Sequence, residues 1–192
     1  MNKIFCIVGK SCSGKDTFYN RILALKQPRL RPVTPYTTRP IRKGEIDGQN
    51  YHFVTAKQLE QYLAGDQIIE LREYFTTQGY WSYFTLRFDL DSDRLLITTL
   101  EGAESLMGHY GQPAVCVVYL HVDDRTRLMR CIDREDCQEN PDYTEVCRRF
   151  LADQEDFSAE RLAQFPRLYT IDTGAGIEEC LEQWDALYRA EK

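Results

Sequence analysis

The sequence predicts an α/β fold of three layers, in which a parallel central sheet is covered by helices on both faces. Two observations carry this. Short apolar runs without polar alternation, Ile4–Val8, Leu95–Ile97, Ala114–Leu120 and Leu168–Ile171, are the pattern of strands buried on both sides. Segments of helical period separate them, and strands alternating with helices build a parallel sheet. Residues 31–93 break this rhythm. They are polar, aromatic and turn-rich, and they read as a lobe inserted into the core.

The elements follow in chain order. Ile4–Val8 forms a strand that ends at Gly9. A glycine-bearing turn leads into a helix from about Asp16 to Leu25, with Phe18, Ile22 and Leu25 on one stripe and Pro28 and Pro32 to stop it. Within the lobe, Ala56–Leu63 reads as a short helix. Arg94–Thr99 returns to a buried strand, and Glu101–His109 reads as a helix closed near Gly111. After Ala114–Leu120, Asp123 or Asp124 can cap a helix bearing Leu128, Met129 and Ile132. Residues 133–143 are polar and turn-prone and are expected to form an excursion from the core. Thr144 is expected to cap a long helix running to about Leu162. Leu168–Ile171 is the last strand, and Gly176–Arg189 is an amphipathic helix with Ile177, Leu181, Trp184 and Leu187 on its apolar face.

Composition limits the function classes. The chain has 192 residues, 43% hydrophobic and 28% charged, an ordinary globular mixture for one domain with inserted parts. The formal charge of −6 argues against a nucleic-acid footprint spread over the surface, which needs a basic excess. No apolar stretch approaches the ~18 residues that would suggest a span, and Ile4–Val8 is too short for a signal-peptide core. The expectation is a soluble, cytoplasmic protein with no membrane partner. Seven cysteines at irregular spacing, without a C-x-x-C pair, favour reduced thiols over disulfides or zinc.

The strongest chemical signal is Gly9-Lys10-Ser11-Cys12-Ser13-Gly14-Lys15-Asp16-Thr17. It is G-x4-G-K between a strand and a helix, the context in which such a loop cradles phosphate. Glycines let the backbone approach the phosphates, and successive N–H groups at a helix N-terminus bind negative charge. Lys15 adds a point charge at the β and γ phosphates. This predicts ATP, with Mg²⁺, as ligand. The usual Ser or Thr after the lysine is replaced by Asp16. As a hard oxygen donor Asp16 can hold Mg²⁺ directly or through water, or it can serve only the helix dipole. Cys12 sits inside the loop, where a helix N-terminus can activate a thiol.

A second constellation follows at Thr34–Val54. Arg39 and Arg42, three apart in a proline-constrained loop among hydroxyls, suit a monophosphate, because arginine supplies bidentate donors. Tyr51 adds a phenolic donor. GKSCSGKDT followed by TTRPIRKGEIDGQNYHFV resembles the guanylate kinase family, whose patterns run GPSGxGKST and S-x-TTRxPRxGExxGxDYHFV. The resemblance continues more weakly through Ile68-Ile69-Glu70, Tyr83-Phe84-Thr85 and Leu100-Glu101-Gly102, and through Arg130, Arg134 and Arg149.

That resemblance implies a P-loop kinase fold: a core (1–30, 94–132 and 158–192), a lobe binding the nucleoside monophosphate (31–93) and a short lid (about 133–157). It implies that Arg39, Arg42, Tyr51 and Tyr83 hold an acceptor monophosphate, with Glu45 beside the arginines. Glu70, Thr85 and Thr99 would lie at the guanine base. Arg134 and Arg149 would close over the transferred phosphoryl, which with Lys15 and Arg39 makes the catalytic set. The implied reaction takes ATP and GMP, or dGMP, to ADP and GDP, or dGDP. The chain departs from the family at Pro35, where a serine contacts guanine, and at Ile97 and Thr99, where the family carries Asp-x-Asp. Three other readings therefore stay open. One is a kinase for ribose 1,5-bisphosphate, suggested by the aspartate after the loop lysine. Another is a different nucleobase, and the last is a non-catalytic binding module of the same fold.

Overall fold

The computed structural model describes every residue except 28, 43, 77 and 78. Its five-stranded parallel sheet has the order β2 (Leu30–Pro32), β7 (Asp93–Ile97), β1 (Ile4–Val8), β8 (Val115–His121), β9 (Leu168–Asp172). Between β2 and β7 in sequence lies a second sheet of four strands, ordered β4 (His52–Phe53), β3 (Tyr36–Thr37), β6 (Gly79–Leu86), β5 (Ile68–Thr76). The helices are α1 (Lys15–Ala24), α2 (Ala56–Ala64), α3 (Leu100–Tyr110), α4 (Asp124–Asp136), α5 (Tyr143–Asp156), α6 (Ala159–Leu162) and α7 (Ile177–Ala190). The expected α/β architecture with a parallel central sheet is borne out.

Alternation along β1 splits the core into two layers. Phe5 and Ile7 face α1 and α7, where they pack with Phe18, Ile22, Trp184 and Tyr188. Ile4, Cys6 and Val8 face α3 and pack with Leu100, Ala103, Leu106 and Phe165. Trp184 is fully buried, with its ring centroid 5.1 Å from that of Phe5. Truncating such a residue to alanine costs about 3–5 kcal/mol. In the second sheet, Tyr36 and Phe84 stack at 5.3 Å and both meet Tyr62 of α2. This holds one face of that sheet shut and leaves the other free to carry polar groups.

Several element boundaries differ from expectation. Leu30–Pro32 and Asp93 pair in the core sheet, so the second sheet itself runs only from Tyr36 to Leu86. Pro32 ends a strand instead of stopping α1, and Pro28 lies outside the described residues. Asp133–Asp136 complete α4 and are not part of an irregular excursion. The link that remains is tied at both ends: Glu135 accepts from the Asp142 backbone at 2.9 Å, and Tyr143 donates to Asp136 at 2.5 Å. Asp142, not Thr144, caps α5, because its carboxylate accepts from the Glu145 N–H at 3.0 Å and is the better N-cap. The expected long helix breaks after Asp156, where Ser158 caps α6. All seven cysteines are free thiols. No helix among the described residues is long and apolar enough to cross a membrane.

Candidate functional site

Residues 9–17 form the loop between β1 and α1, at the carboxyl end of the sheet. Its glycines are required by space and by angle. A Cβ on Gly9 would lie 2.7 Å from Ser13 Oγ and 2.9 Å from the Leu120 carbonyl oxygen. Gly14, the N-cap of α1, sits at φ 89°. Cys12 adopts φ 61° without being glycine, a strained choice for a side-chain-bearing residue. Lys15 folds back into the loop, where Nζ donates to the Gly9 and Lys10 carbonyls at 2.7 and 2.9 Å. Burial pulls its ammonium down from the ordinary value, against the pull of Asp16 and Asp153. A phosphate in the loop would relieve this, since it supplies the missing counter-charge. Asp16 and Thr17 stand exposed in the first turn of α1.

The loop is braced from the far end of the chain. Asp153 on α5 accepts from the Ser11 backbone N–H at 2.8 Å and from Arg127 Nη1 at 2.8 Å. Arg127 is completely buried under the Phe150 ring, with the guanidinium carbon 3.9 Å from the ring centroid. Lys10 Nζ donates to Gln154 at 2.5 Å. Thr173 donates to the Ser13 carbonyl at 2.9 Å. None of these braces was expected from the sequence.

On the second sheet, Arg39 is buried among anionic and phenolic oxygens. Its Nη1 and Nη2 donate to the two Glu45 oxygens at 3.0 and 2.7 Å, and Nε donates to Tyr83 at 3.1 Å. Burial opposes its charge, but Glu45 and Tyr83 outweigh that and its pKa moves up. The Arg39 guanidinium in turn holds the Glu45 carboxyl below its ordinary range. The Arg42 backbone also donates to Glu45, at 2.7 Å, and the Arg42 side chain is exposed. Tyr51 packs edge-on against Tyr83, at 5.6 Å between centroids. Burial and Tyr83 push its phenol up, and Asp16 lies near enough to add to the effect. Of the expected monophosphate residues, Arg39, Glu45, Tyr51 and Tyr83 are thus one cluster, which Arg42 joins through its backbone N–H.

Beside it, Glu70 is 6% exposed and Thr85 is 1% exposed. Thr85 Oγ1 donates to Glu70 Oε1 at 2.9 Å. Arg72, two residues on and so on the same strand face, donates from Nη2 to Glu70 Oε1 at 3.3 Å. Its Nε lies 2.9 Å from Glu70 Oε2, without the alignment of a hydrogen bond. The buried Thr98 hydroxyl has no hydrogen-bond partner among the described residues. It sits at the same spot: a Cβ on Gly102 would fall 2.0 Å from Thr98 Oγ1 and 3.5 Å from the Glu70 carboxyl carbon. Thr99 is occupied elsewhere, as the N-cap of α3, where it accepts from Gly102 N at 3.2 Å. The strand period could have flagged Arg72. Thr98 needed the fold.

Arg134 lies in the last turn of α4 and Arg149 lies on α5. Both line a small pocket with Ser11, Cys131, Glu145 and Val146, next to the phosphate loop. Arg134 is close enough to Lys15 to disfavour its charge. Arg149 donates to Glu145 at 2.6 Å. Arg148, with a smaller part from Arg149, holds the Glu145 carboxyl at about 2.

Chemically, the glycine loop can accept phosphate, the Arg39 cluster is a second cationic and phenolic group, and Arg134 and Arg149 line a pocket beside the loop. The family model described as guanylate kinase matches residues 1–86. A guanylate kinase of Neisseria gonorrhoeae is 39% identical over 72 residues, 38% of this chain and 35% of that one. One of Shewanella frigidimarina is 31% identical over 105 residues, 54% of this chain and 51% of that one. The alignments therefore span about half or less of the length of these curated relatives. A crystal structure of guanylate kinase from Anaplasma phagocytophilum superposes with a TM-score of 0.67 at 20% identity, covering 99% of this chain and 86% of that chain. At that identity the likeness speaks for the fold, which it extends to the whole chain. Over its first 86 residues the chain is similar to guanylate kinases, and the likeness to a P-loop kinase fold runs over nearly its whole length.

Proposed function

We propose that this chain is an ATP-dependent nucleoside monophosphate kinase that moves the γ-phosphoryl of ATP to GMP or dGMP, giving ADP and GDP or dGDP. One observation carries the reading. The glycine loop with Lys15 and the Arg39–Glu45–Tyr83 cluster are two separate cationic groups, and a buried carboxylate, Glu70, lies on the same sheet as the second, which supports two anion sites. A hydrolase needs one phosphate site, and a transferase between nucleotides needs two. The intact loop weighs against a purely binding module, and Glu70 with Tyr51 weighs against a sugar bisphosphate acceptor.

In this reading residues 9–17 hold the ATP phosphates, with Lys15 at the β and γ oxygens. Arg39, Arg42, Tyr51 and Tyr83 hold the acceptor phosphate, and Glu45 fixes the Arg39 fork. Glu70 and Thr85 meet the base, while Thr99 serves the pocket through the helix it caps. An oxygen of the acceptor phosphate attacks the γ-phosphorus as the bond to ADP breaks, and no general base is needed because that oxygen is already ionised. Lys15, Arg39, Arg134 and Arg149 spread the developing charge. Residues 133–157 act as the lid over the 31–93 lobe and the core, excluding water.

The donor set fits a magnesium ion that arrives with the nucleotide. Asp16 is exposed at the loop, and the described residues hold no group of three or more His, Cys, Asp or Glu that could cage a metal. Asp16 would hold the ion, and the ion would neutralise charge on the phosphate oxygens. Nucleotides are the partners this site is built for, and the reading places the enzyme in the cytoplasm.

The test is coupled ADP release with ATP–Mg²⁺ against GMP, dGMP, AMP, CMP, UMP and ribose 1,5-bisphosphate. Turnover of GMP or dGMP that is lost in Lys15→Met supports the proposal. Turnover of the bisphosphate alone, or nucleotide binding without turnover, overturns it.

A further inference from the structure

Cys12 stands where the pattern GPSGxGKST has glycine, and it takes φ 61° there. Glycine reaches that left-handed region freely, whereas a residue with a side chain is strained in it. Strain kept inside a functional loop points to a use for the side chain.

The neighbour of that side chain is a second thiol. Cys131 lies in α4 and is 3% exposed. Its Sγ donates to the Ser11 carbonyl oxygen at 4.0 Å, one peptide bond before Cys12. It also shares a hydrogen bond with the Cys12 thiol. Cys131 lines the pocket beside the loop with Ser11 and Arg134, so the pair lies at an opening and not in the core. Burial, and after it the hydrogen bond to Cys12, push the Cys131 thiol up to about 12, against the pull of Arg134 and Arg127. Cys131 therefore stays protonated near neutral pH. Cys12 is the more exposed of the two and is the sulfur that a reagent meets first.

We propose that Cys12 and Cys131 form an oxidative modification site, where a low-molecular-weight disulfide converts the thiol pair to a cross-link that switches the phosphate loop off. This rests on the loop holding ATP, as in the proposed function. The exchange balances in two steps. Cys12, as thiolate, attacks one sulfur of the reagent, whose S–S bond breaks and whose other half departs as a thiolate. Cys131 then attacks Cys12 Sγ, the mixed disulfide breaks, and the second half departs. The two thiol protons end on the two departing sulfurs. Two cysteines are oxidised and one reagent disulfide is reduced. Bonding draws the sulfurs from hydrogen-bond contact to about 2 Å. The helix is packed and the loop is a turn, so the loop takes up the movement and its N–H groups leave the phosphate positions. Dithiol reagents reverse the step, in keeping with the transient disulfides of reducing compartments.

The experiment incubates the reduced full chain with lipoamide, a cyclic disulfide. A lone thiol cannot hold this reagent, because ring closure expels it, so only a thiol pair is converted. Peptides are then mapped by mass spectrometry without reduction, and ATP–Mg²⁺ binding is measured by calorimetry. The expected product joins the Cys12 and Cys131 peptides and is two hydrogens lighter than their sum. ATP affinity is expected to fall about tenfold or more, since small misplacements of positioned groups are costly. Dithiothreitol should restore it. Cys131→Ser should bind ATP as the unmodified chain does and keep that affinity after lipoamide. Cys12→Gly should form no cross-link either, and it decides the point if Cys131→Ser fails to fold. Absence of the cross-link, a cross-link through the exposed Cys137 or Cys147 instead, or a Cys12–Cys131 cross-link with unchanged ATP affinity overturns the inference. Failure of the reduced chain to bind ATP overturns the loop reading as well, whereas ATP binding without the cross-link overturns only this inference.

Discussion

Asp153→Ala should damage both the stability of the chain and its hold on ATP. Arg127 is fully buried, and its Nη1 lies 2.8 Å from Asp153 Oδ2. Removing one member of a buried ion pair costs about 3–5 kcal/mol, because the other is left uncompensated. Two contacts soften the loss. Asp124 stays 3.1 Å from Arg127 Nη2, but its side chain is 53% exposed and screened. The Phe150 ring stays 3.9 Å from the guanidinium. Together they return about 1 kcal/mol. The Ser11 N–H loses its acceptor, at about 1 kcal/mol. The net is a loss of about 3–5 kcal/mol, or roughly 6–20 °C in Tm for a chain of this size. Arg127→Met should cost less, about 1–2 kcal/mol, because Asp153 keeps Ser11 and has some solvent access. Replacing both by apolar residues should be milder than Asp153→Ala alone. Urea unfolding of the four proteins measures this, and the KM for ATP should rise in Asp153→Ala as Ser11 comes loose. A change below about 0.5 kcal/mol, or Arg127→Met proving the worse variant, refutes the reasoning.

Other consequences follow from the same geometry. Gly9→Ala places a methyl 2.9 Å from the Leu120 carbonyl oxygen, which is backbone and cannot swing aside. It should cost about 1–3 kcal/mol by thermal melting and abolish detectable ATP binding. Lys15→Met removes a charge whose burial is unfavourable in the free protein, so Tm should rise by a few degrees while kcat/KM falls more than about 100-fold. A fall in both would show that its two carbonyl bonds outweigh the desolvation. Glu145 has its folded pKa depressed from 4.5 to about 2. Its contribution is therefore present above 4.5 and is lost as pH falls from there toward 2. Glu145→Gln should flatten the acid limb of a stability–pH profile in that window, by lowering stability at neutral pH while leaving it nearly unchanged at the acid end.

Much of this was legible in the chain itself, for local reasons. The strand Ile4–Val8, the glycine spacing and Lys15 lie within a dozen residues, so motif and period placed the loop correctly. Arg39 and Glu45 are six apart, and their pairing followed from a contiguous motif. The helix around 144–162 was misjudged because Asp142 competes with Thr144 for the cap and Ser158 restarts the chain. The ends of α4 were misjudged because a charged run, Asp133–Asp136, reads as loop although it faces solvent from a helix. The brace of Asp153 on Ser11 spans 142 residues and leaves no local trace. Arg72 lay within reach, two residues from Glu70 on a strand, but its ion pair with that buried carboxylate came only with the fold.

The central claim is direct transfer between two bound nucleotides. The most direct measurement is a ³¹P NMR time course of the full chain with equimolar ATP and GMP in excess magnesium. The account predicts loss of the ATP signals with matching growth of GDP and ADP, and no inorganic phosphate beyond the background seen in Lys15→Met. ADP appearing with inorganic phosphate and unchanged GMP would contradict it.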